Sequence, residues 1–219
     1  MIKRIKNIAP IILLLILACA VPLFPAQFGG ERFYIDHILS GNAYNMPVRE
    51  KLAREYVTLL DMKEGESIAD IGCADADFCW TFLDKVGKSG AVYALDIDKY
   101  SIAYVKKRKE KAGAENFFPM ISGENSLPLQ DKSINAILLS NVHILGQADK
   151  SHQEKYEKPF VKEVARVMKP GGRFLVIDAK FAPGMEPRLT PDLVITLCKD
   201  AGLKPVTKKL KWSNISAAN

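Results

Sequence analysis

Acidic residues are missing from the first thirty positions of this 219-residue chain; the first is Glu31. Lys3, Arg4 and Lys6 supply three of the six net positive charges, so the remainder carries only +3. A pI near 9.0 therefore says little about an anionic partner. Cysteine is scarce, and Cys19, Cys73, Cys79 and Cys198 include no C-x-x-C pair, which excludes a disulfide framework. The last three read as small buried hydrophobes. His37, His143 and His152 stand far apart, which argues against a zinc site. Internal repeats and low-complexity linkers are lacking, and 48% hydrophobic content excludes a disordered chain. No aromatics interleave with the basic runs, so nucleic acid is not an expected partner. Lys106, Lys107, Arg108, Lys109 and Lys111 read as the solvated outer face of a helix, opposite Ala103 and Val105. Lys204, Lys208, Lys209 and Lys211 read as an exposed sheet edge.

What is present divides the chain in two. Residues 1–30 combine a basic start with an apolar stretch from Ile8 to Ala18, and no charge occurs between Asn7 and Gly30. That is the pattern of an export signal or membrane anchor, and Pro10, Pro22 and Pro25 make a core helix a poor alternative. Ala18-Cys19-Ala20 suits signal peptidase, and Ile16-Leu17-Ala18-Cys19 resembles a bacterial lipobox that would leave Cys19 lipidated. Positive charge on the N-terminal side predicts that residues 31–219 face away from the cytoplasm, in a bacterial cell envelope. Those residues are enough for one domain.

Within that domain the pattern alternates. After an irregular lead-in, Pro47 opens a helix carrying Val48, Leu52, Tyr56 and Leu59 at helical spacing. Strands are expected at Ser67–Ile71, Ala91–Leu95, Asn116–Ile121, Ile134–Ser140 and Arg173–Ile177. Helices are expected at Phe78–Val86, Ser101–Ala112 and Tyr156–Met168, the last closed by Pro170-Gly171-Gly172. Thr190 caps a final helix, and Lys204–Trp212 is a sixth strand candidate. Alternation of this kind means βαβ units: an α/β, doubly wound, mostly parallel sheet.

In such a sheet, ligands bind outside the carboxyl ends of the strands. The first of these ends reads Asp70-Ile71-Gly72-Cys73-Ala74-Asp75-Ala76-Asp77, a tight turn opening onto a helix N-terminus. The second ends in Asp96, where a carboxylate can accept both hydroxyls of a ribose. A nucleoside-containing cofactor follows. The turn lacks the G-x-G-x-x-G spacing of a nicotinamide-dependent oxidoreductase.

Four runs, IADIGCADADF, ALDID, LPLQDKSINAILLSN and EVARVMKPGGRFLVID, resemble successive motifs of class I S-adenosylmethionine-dependent methyltransferases, over about residues 47–202. The resemblance implies a Rossmann-like methyltransferase fold with S-adenosylmethionine as cofactor. It implies that Asp70, Gly72 and Ala74 line the methionine part, that Asp96 holds the ribose and that Ile97 packs on the adenine. Glu124 would face the adenine amino group. Asn141 and His143 would border the transferring methyl, with His143 as the candidate base because its ordinary pKa lies near neutrality. Asn141 would orient an acceptor or cap the strand. Tyr44 would contribute to a lid or be an exposed loop aromatic, and Asp178 would be a substrate-side carboxylate or a turn cap.

Three departures from the family pattern stand out. Ala74 and Ala76 replace the second and third glycines of the turn; the loop is strained if Ala76 needs positive φ, while Ala74 alone is tolerable. Asn135 stands where an Asp is common. The C-terminal strand region is expected to be truncated, with SNISAAN a weak candidate for the family's closing antiparallel strand. The expected activity is methyl transfer to a small-molecule or lipid-like acceptor at a membrane. The alternative, resting on the altered turn and on a cofactor made in the cytoplasm, is a non-catalytic binding module.

Overall fold

The computed structural model describes residues 46–142, 144–146, 149–177 and 191–204. The expected address segment 1–30, Tyr44, His143, Asp178, Thr190 and most of the sixth strand candidate lie outside the described residues. Among the described residues, no helix is long and apolar enough to cross a membrane.

Among the described residues, five parallel strands form the sheet in the order β3-β2-β1-β4-β5. They are β1 (Ser67–Ile71), β2 (Ala91–Asp96), β3 (Phe117–Ile121), β4 (Ile134–Ser140) and β5 (Met168–Ile177). The helices are α1 (Met46–Leu59), α2 (Asp77–Val86), α3 (Lys99–Ala112), α4 (Lys150–His152), α5 (Lys158–Val167) and α6 (Pro191–Asp200). A π-helical turn, Gln153–Glu157, joins α4 to α5. The α/β doubly wound expectation holds.

Strands buried on both faces need apolar residues at successive positions, and these have them. Ile68, Val92, Ala94, Ala136 and Leu138 meet Tyr56, Cys79, Phe82, Ile102 and Val105 of α1, α2 and α3 on one face. Ala69, Ile71, Leu95, Ile137 and Leu139 meet Phe160, Val161, Val164, Val194 and Leu197 of α5 and α6 on the other. In α5, Phe160, Val161, Val164 and Val167 recur at three- and four-residue spacing, which turns one stripe to the sheet. Asp98 caps α3, accepting from the N–H groups of Tyr100 and Ser101.

Three local readings change. Lys169-Pro170-Gly171-Gly172 does not precede β5 but bulges within it: Ile134 pairs with Met168, yet Ala136 pairs with Arg173. On α3, Val105 is buried but Ala103 is exposed, and Arg108 is turned inward instead of joining the solvated lysines. Asn135 lies at the end of the sheet opposite the cofactor motifs. Its Oδ1 accepts from the Ser67 N–H and from Lys169 Nζ, so the missing charge does not touch the site.

Two of the recognised runs meet physically. Arg166, in EVARVMKPGG, donates to the carbonyls of Leu127 and Leu129 and to Asp131 in LPLQDKS. Glu163 accepts from the Leu127 N–H. This fastening replaces a helix between β3 and β4 and sets the start of β4.

Candidate active site

Strand order reverses between β1 and β4, so a crevice opens at their carboxyl ends. At the end of β1 the chain bends across β2: the N–H groups of Gly72 and Cys73 both donate to Leu95 O, at 2.7 and 3.0 Å. Gly72 has φ +73, and a Cβ there would lie 2.2 Å from Val142 Cγ2. The loops after β1 and β4 therefore touch with no room for a methyl group.

Beyond Gly72 the left-handed conformation recurs at alternate residues, with φ 48 at Ala74 and φ 57 at Ala76. Both alanines thus adopt the backbone for which glycine is ordinarily used, so strain falls on Ala74 as well as on Ala76. That conformation costs an L-residue about 1–2 kcal/mol. Such strain persists only where the surroundings over-determine it. Ala74 is held because its N–H donates to Asp96 Oδ2 at 2.9 Å. Ala74→Gly should stabilise the chain by about 0.5–1 kcal/mol, the relief of strain less the greater entropy of glycine. Ala76→Gly should give no such gain, because its fully buried methyl offsets the relief by about 0.8 kcal/mol. Urea unfolding checks both; a destabilised Ala74→Gly variant would show that the loop carries no strain there.

Ala76 is flanked by carboxylates that two arginines grip. Arg49 of α1, itself buried, places Nη1 at 3.0 and 2.7 Å from the Asp75 oxygens and at 2.9 Å from Asp77 Oδ2. Arg108 of α3 donates to Asp75 O at 2.7 Å and to Asp77 Oδ1 at 2.6 Å. The Arg49 guanidinium lies over the Phe78 ring, and that of Arg108 over Trp80 and Tyr104. Burial pushes the Asp75 carboxyl up, against the pull of Arg49. The hydropathy pattern hid this cluster, since an arginine in a basic run reads as solvated. Two carboxylates inside a glycine-type turn were the signal that cations must approach it.

Asp70 stands at the base of the crevice, only 2% exposed. Cys79 Sγ donates to its Oδ2 at 3.4 Å. Burial raises its pKa to about 7, opposed by that hydrogen bond and by Arg49. Burial also pushes the Cys73 and Cys79 thiols well up, so neither serves as a thiolate nucleophile. Asp96, at the end of β2, accepts from the Ala74 N–H through Oδ2 and from the Asp98 N–H through Oδ1, each at 2.9 Å. Burial raises its pKa against backbone hydrogen bonds from Asp98, Ala74 and Ile97. Three donors leave part of the carboxylate's acceptor capacity for a ligand.

The remaining candidates are placed unequally. Ile97 follows Asp96 and is 63% exposed, while Ile121, at the end of neighbouring β3, is 54% exposed. Sequence reasoning missed Ile121, although it ends an expected strand. Glu124 is exposed in the loop after β3, where Asn125 Nδ2 donates to Lys155 O of the π-helical turn. Asn141 is exposed, with φ +56, and its N–H donates to Ile177 O at 2.8 Å. His143 is outside the described residues. Beyond it, Gly146 N–H donates to Oε2 of fully buried Glu157 at 2.7 Å, tying the loop after β4 to the π-helical turn. Sequence reasoning missed Glu157 too; its signal is an acid at helical spacing from Phe160, Val161 and Val164. Among the described residues, no group of three His, Cys, Asp or Glu side chains is arranged to hold a metal ion.

Comparison with known proteins bears on the family and the fold. The family described as "Methyltransferase domain" matches residues 62–214. A demethylmenaquinone methyltransferase of Bacillus cytotoxicus is 26% identical over 125 residues, covering 57% of this chain and 49% of that one. A fatty-acid O-methyltransferase of Mycolicibacterium smegmatis is 29% identical over 118 residues, covering 53% of this chain and 38% of that one. The chain thus spans half or less of the length of these two relatives. A crystal structure of a SAM-dependent methyltransferase from Aquifex aeolicus superposes with a TM-score of 0.57 at 23% identity, covering 73% of this chain and 88% of that one, which is a likeness of fold. With the match covering more than half of its residues, the chain belongs to the methyltransferase-domain family.

Proposed function

We propose that this chain methylates a small-molecule, lipid-like acceptor at a membrane surface. The observation that carries the cofactor assignment is Asp96, whose carboxylate is steadied by backbone N–H groups on both oxygens and keeps acceptor capacity for the ribose. The surrounding residues fit the rest of S-adenosylmethionine. Exposed Ile97 and Ile121, on adjacent strand ends, offer an apolar platform for adenine, and Glu124 would reach its amino group. Asp70, Gly72 and Ala74 would line the methionine portion, where a carboxylate favours a cation.

When bound, S-adenosylmethionine supplies an electrophilic methyl group on a sulfonium. The protein's own work is to align the acceptor, exclude water and take up the acceptor's proton. Asn141 and His143, in the loop after β4, are assigned to that side, with His143 as base and Asn141 orienting the acceptor. The acceptor class is supported by the demethylmenaquinone methyltransferase and the fatty-acid O-methyltransferase among the relatives. An address segment at residues 1–30 would hold the domain at the membrane, in the bacterial cell envelope. The glycine-like conformation kept by Ala74 and Ala76 removes one of the two grounds of the non-catalytic alternative, the altered turn, and leaves the other, the cytoplasmic origin of the cofactor.

Calorimetric titration of the full chain in detergent with S-adenosylmethionine is expected to give saturable binding in the micromolar range. No heat at millimolar cofactor would overturn the reading. Incubation with a fatty acid or a demethylated quinone should then release S-adenosylhomocysteine; release with neither would refute the acceptor class alone.

A further inference from the structure

We propose that Arg49 and Arg108 are positioning residues: by gripping the carboxylates on either side of Ala76, they hold it in the left-handed conformation the cofactor loop requires. In calling that loop the cofactor's, the inference rests on the function proposed above.

Ala76 has φ 57 and ψ 33 and stands at the N-cap of α2 without a side-chain cap bond. Nothing in an alanine favours that conformation. Its neighbours do the work a glycine would make unnecessary. Arg108 Nη1 bridges the Asp75 carbonyl and the Asp77 carboxylate, spanning Ala76 across a single nitrogen. Arg49 Nη1 spans it again through the two side chains. The arginines come from different helices, α1 and α3, so the loop is gripped from two sides. Rings on α2 itself, Phe78 and Trp80, lie against the two guanidiniums and limit their freedom to swing away. Two positive and two negative charges balance, which is what a partly buried cluster needs to be tolerated. A mere fastening of α1 and α3 to α2 would have no need to straddle one residue twice.

The test is a cycle on the full chain with S-adenosylmethionine as the probe. Arg108→Met is measured alone and together with Ala76→Gly; Arg108 is chosen because its side chain is partly exposed, unlike that of Arg49. Alone, Arg108→Met should weaken binding roughly tenfold, in keeping with the preference of alanine against this conformation. In combination with Ala76→Gly, the loss on removing Arg108 should shrink to about two- to threefold, because glycine reaches the conformation unaided. Equal losses in both backgrounds, or no loss in either, overturn the proposal. Should Arg108→Met not fold, Asp77→Asn carries the same cycle, since it weakens both arginine contacts while keeping the shape of the side chain. Hydrogen exchange in the ligand-free protein separates this proposal from the function it rests on. Amides from Cys73 to Phe78 should exchange roughly tenfold faster in Arg108→Met. Unchanged exchange overturns the clamp whether or not cofactor binds. A parent chain that binds no S-adenosylmethionine overturns the proposed function and leaves the clamp to the exchange result.

Discussion

Asp96→Ala should bind S-adenosylmethionine on the order of a hundredfold to ten-thousandfold more weakly than the parent chain, because hydrogen bonds to a charged acceptor are worth about 1.5–3 kcal/mol each and two are lost. The loss has two sources. The ribose hydroxyls lose their acceptor, and the Ala74 N–H, which donates to Asp96 Oδ2, loses the partner that holds Ala74 left-handed. Asp96→Asn separates them only in part. Each Asp96 oxygen already faces a backbone donor, so whichever way the new amide turns, its NH2 group meets the N–H of Ala74 or of Asp98. Asn should therefore approach Ala in its effect, where an Asp-to-Asn change at a purely ligand-facing carboxylate would be mild. Calorimetry gives the affinities, and a thermal melt of each variant establishes that the fold is intact. A dissociation constant within threefold of the parent in a folded Asp96→Ala chain would remove Asp96 from the site.

Asp70→Asn should make the protein more stable at pH 8 by about 2–4 kcal/mol, the free energy of a raised carboxyl pKa. In the native state the Asp70 pKa is about 7, against 3.8 for the free side chain. Between those values the folded chain holds a proton that the unfolded chain has released, so stability falls as pH rises through this window and levels off above it. Well below pH 3.8 both states are protonated and the penalty is absent. The amide of Asn cannot ionise, yet its oxygen still accepts from Cys79 Sγ. Urea unfolding at pH 8 and pH 4 should therefore show a large gain at the higher pH and a small one at the lower. Equal differences at both would mean that Asp70 is ionised throughout. Asp75 and Asp96 are displaced in the same direction, so a shallower slope of the same sign should remain in the variant. The stabilised variant should also bind the cationic cofactor less well, the usual opposition between stability and an ionised site.

Much of this architecture is legible in the sequence, for a physical reason. Strands buried on both faces need short apolar runs, and SIADI, AVYAL and INAILLS can be little else in a chain of this length. Asp70, Gly72 and Asp96 were legible because a strand end, a tight turn and a carboxylate at the next strand end occur in register. The rest depended on information that sequence does not carry locally. Alanine has no signature for positive φ, so the conformation of Ala74 and Ala76 is set by distant partners. Arg108 belongs to a lysine-rich run and differs only in where its helix turns. KPGG has the composition of a turn, and only pairing with β4 makes it a bulge inside β5. Glu157 reads as a surface acid until its place on an apolar stripe is set beside Gly146.

The close approach of Gly72 to Val142 bears on how the chain matures. The two residues are remote along the polypeptide, and their loops interlock only once β4 has docked beside β1. A pairing so distant in sequence pays its loop-closure entropy late, so the first half of the domain can fold around β1, β2 and β3 while the crevice is still incomplete. The residues assigned to S-adenosylmethionine stand on β1, β2 and β3 and the loops after them, but the wall that packs against Gly72 is missing until β4 arrives, so full affinity reports completion of the fold. Refolding followed by cofactor binding should lag behind refolding followed by the burial of Trp80, and the lag measures the docking of a single strand.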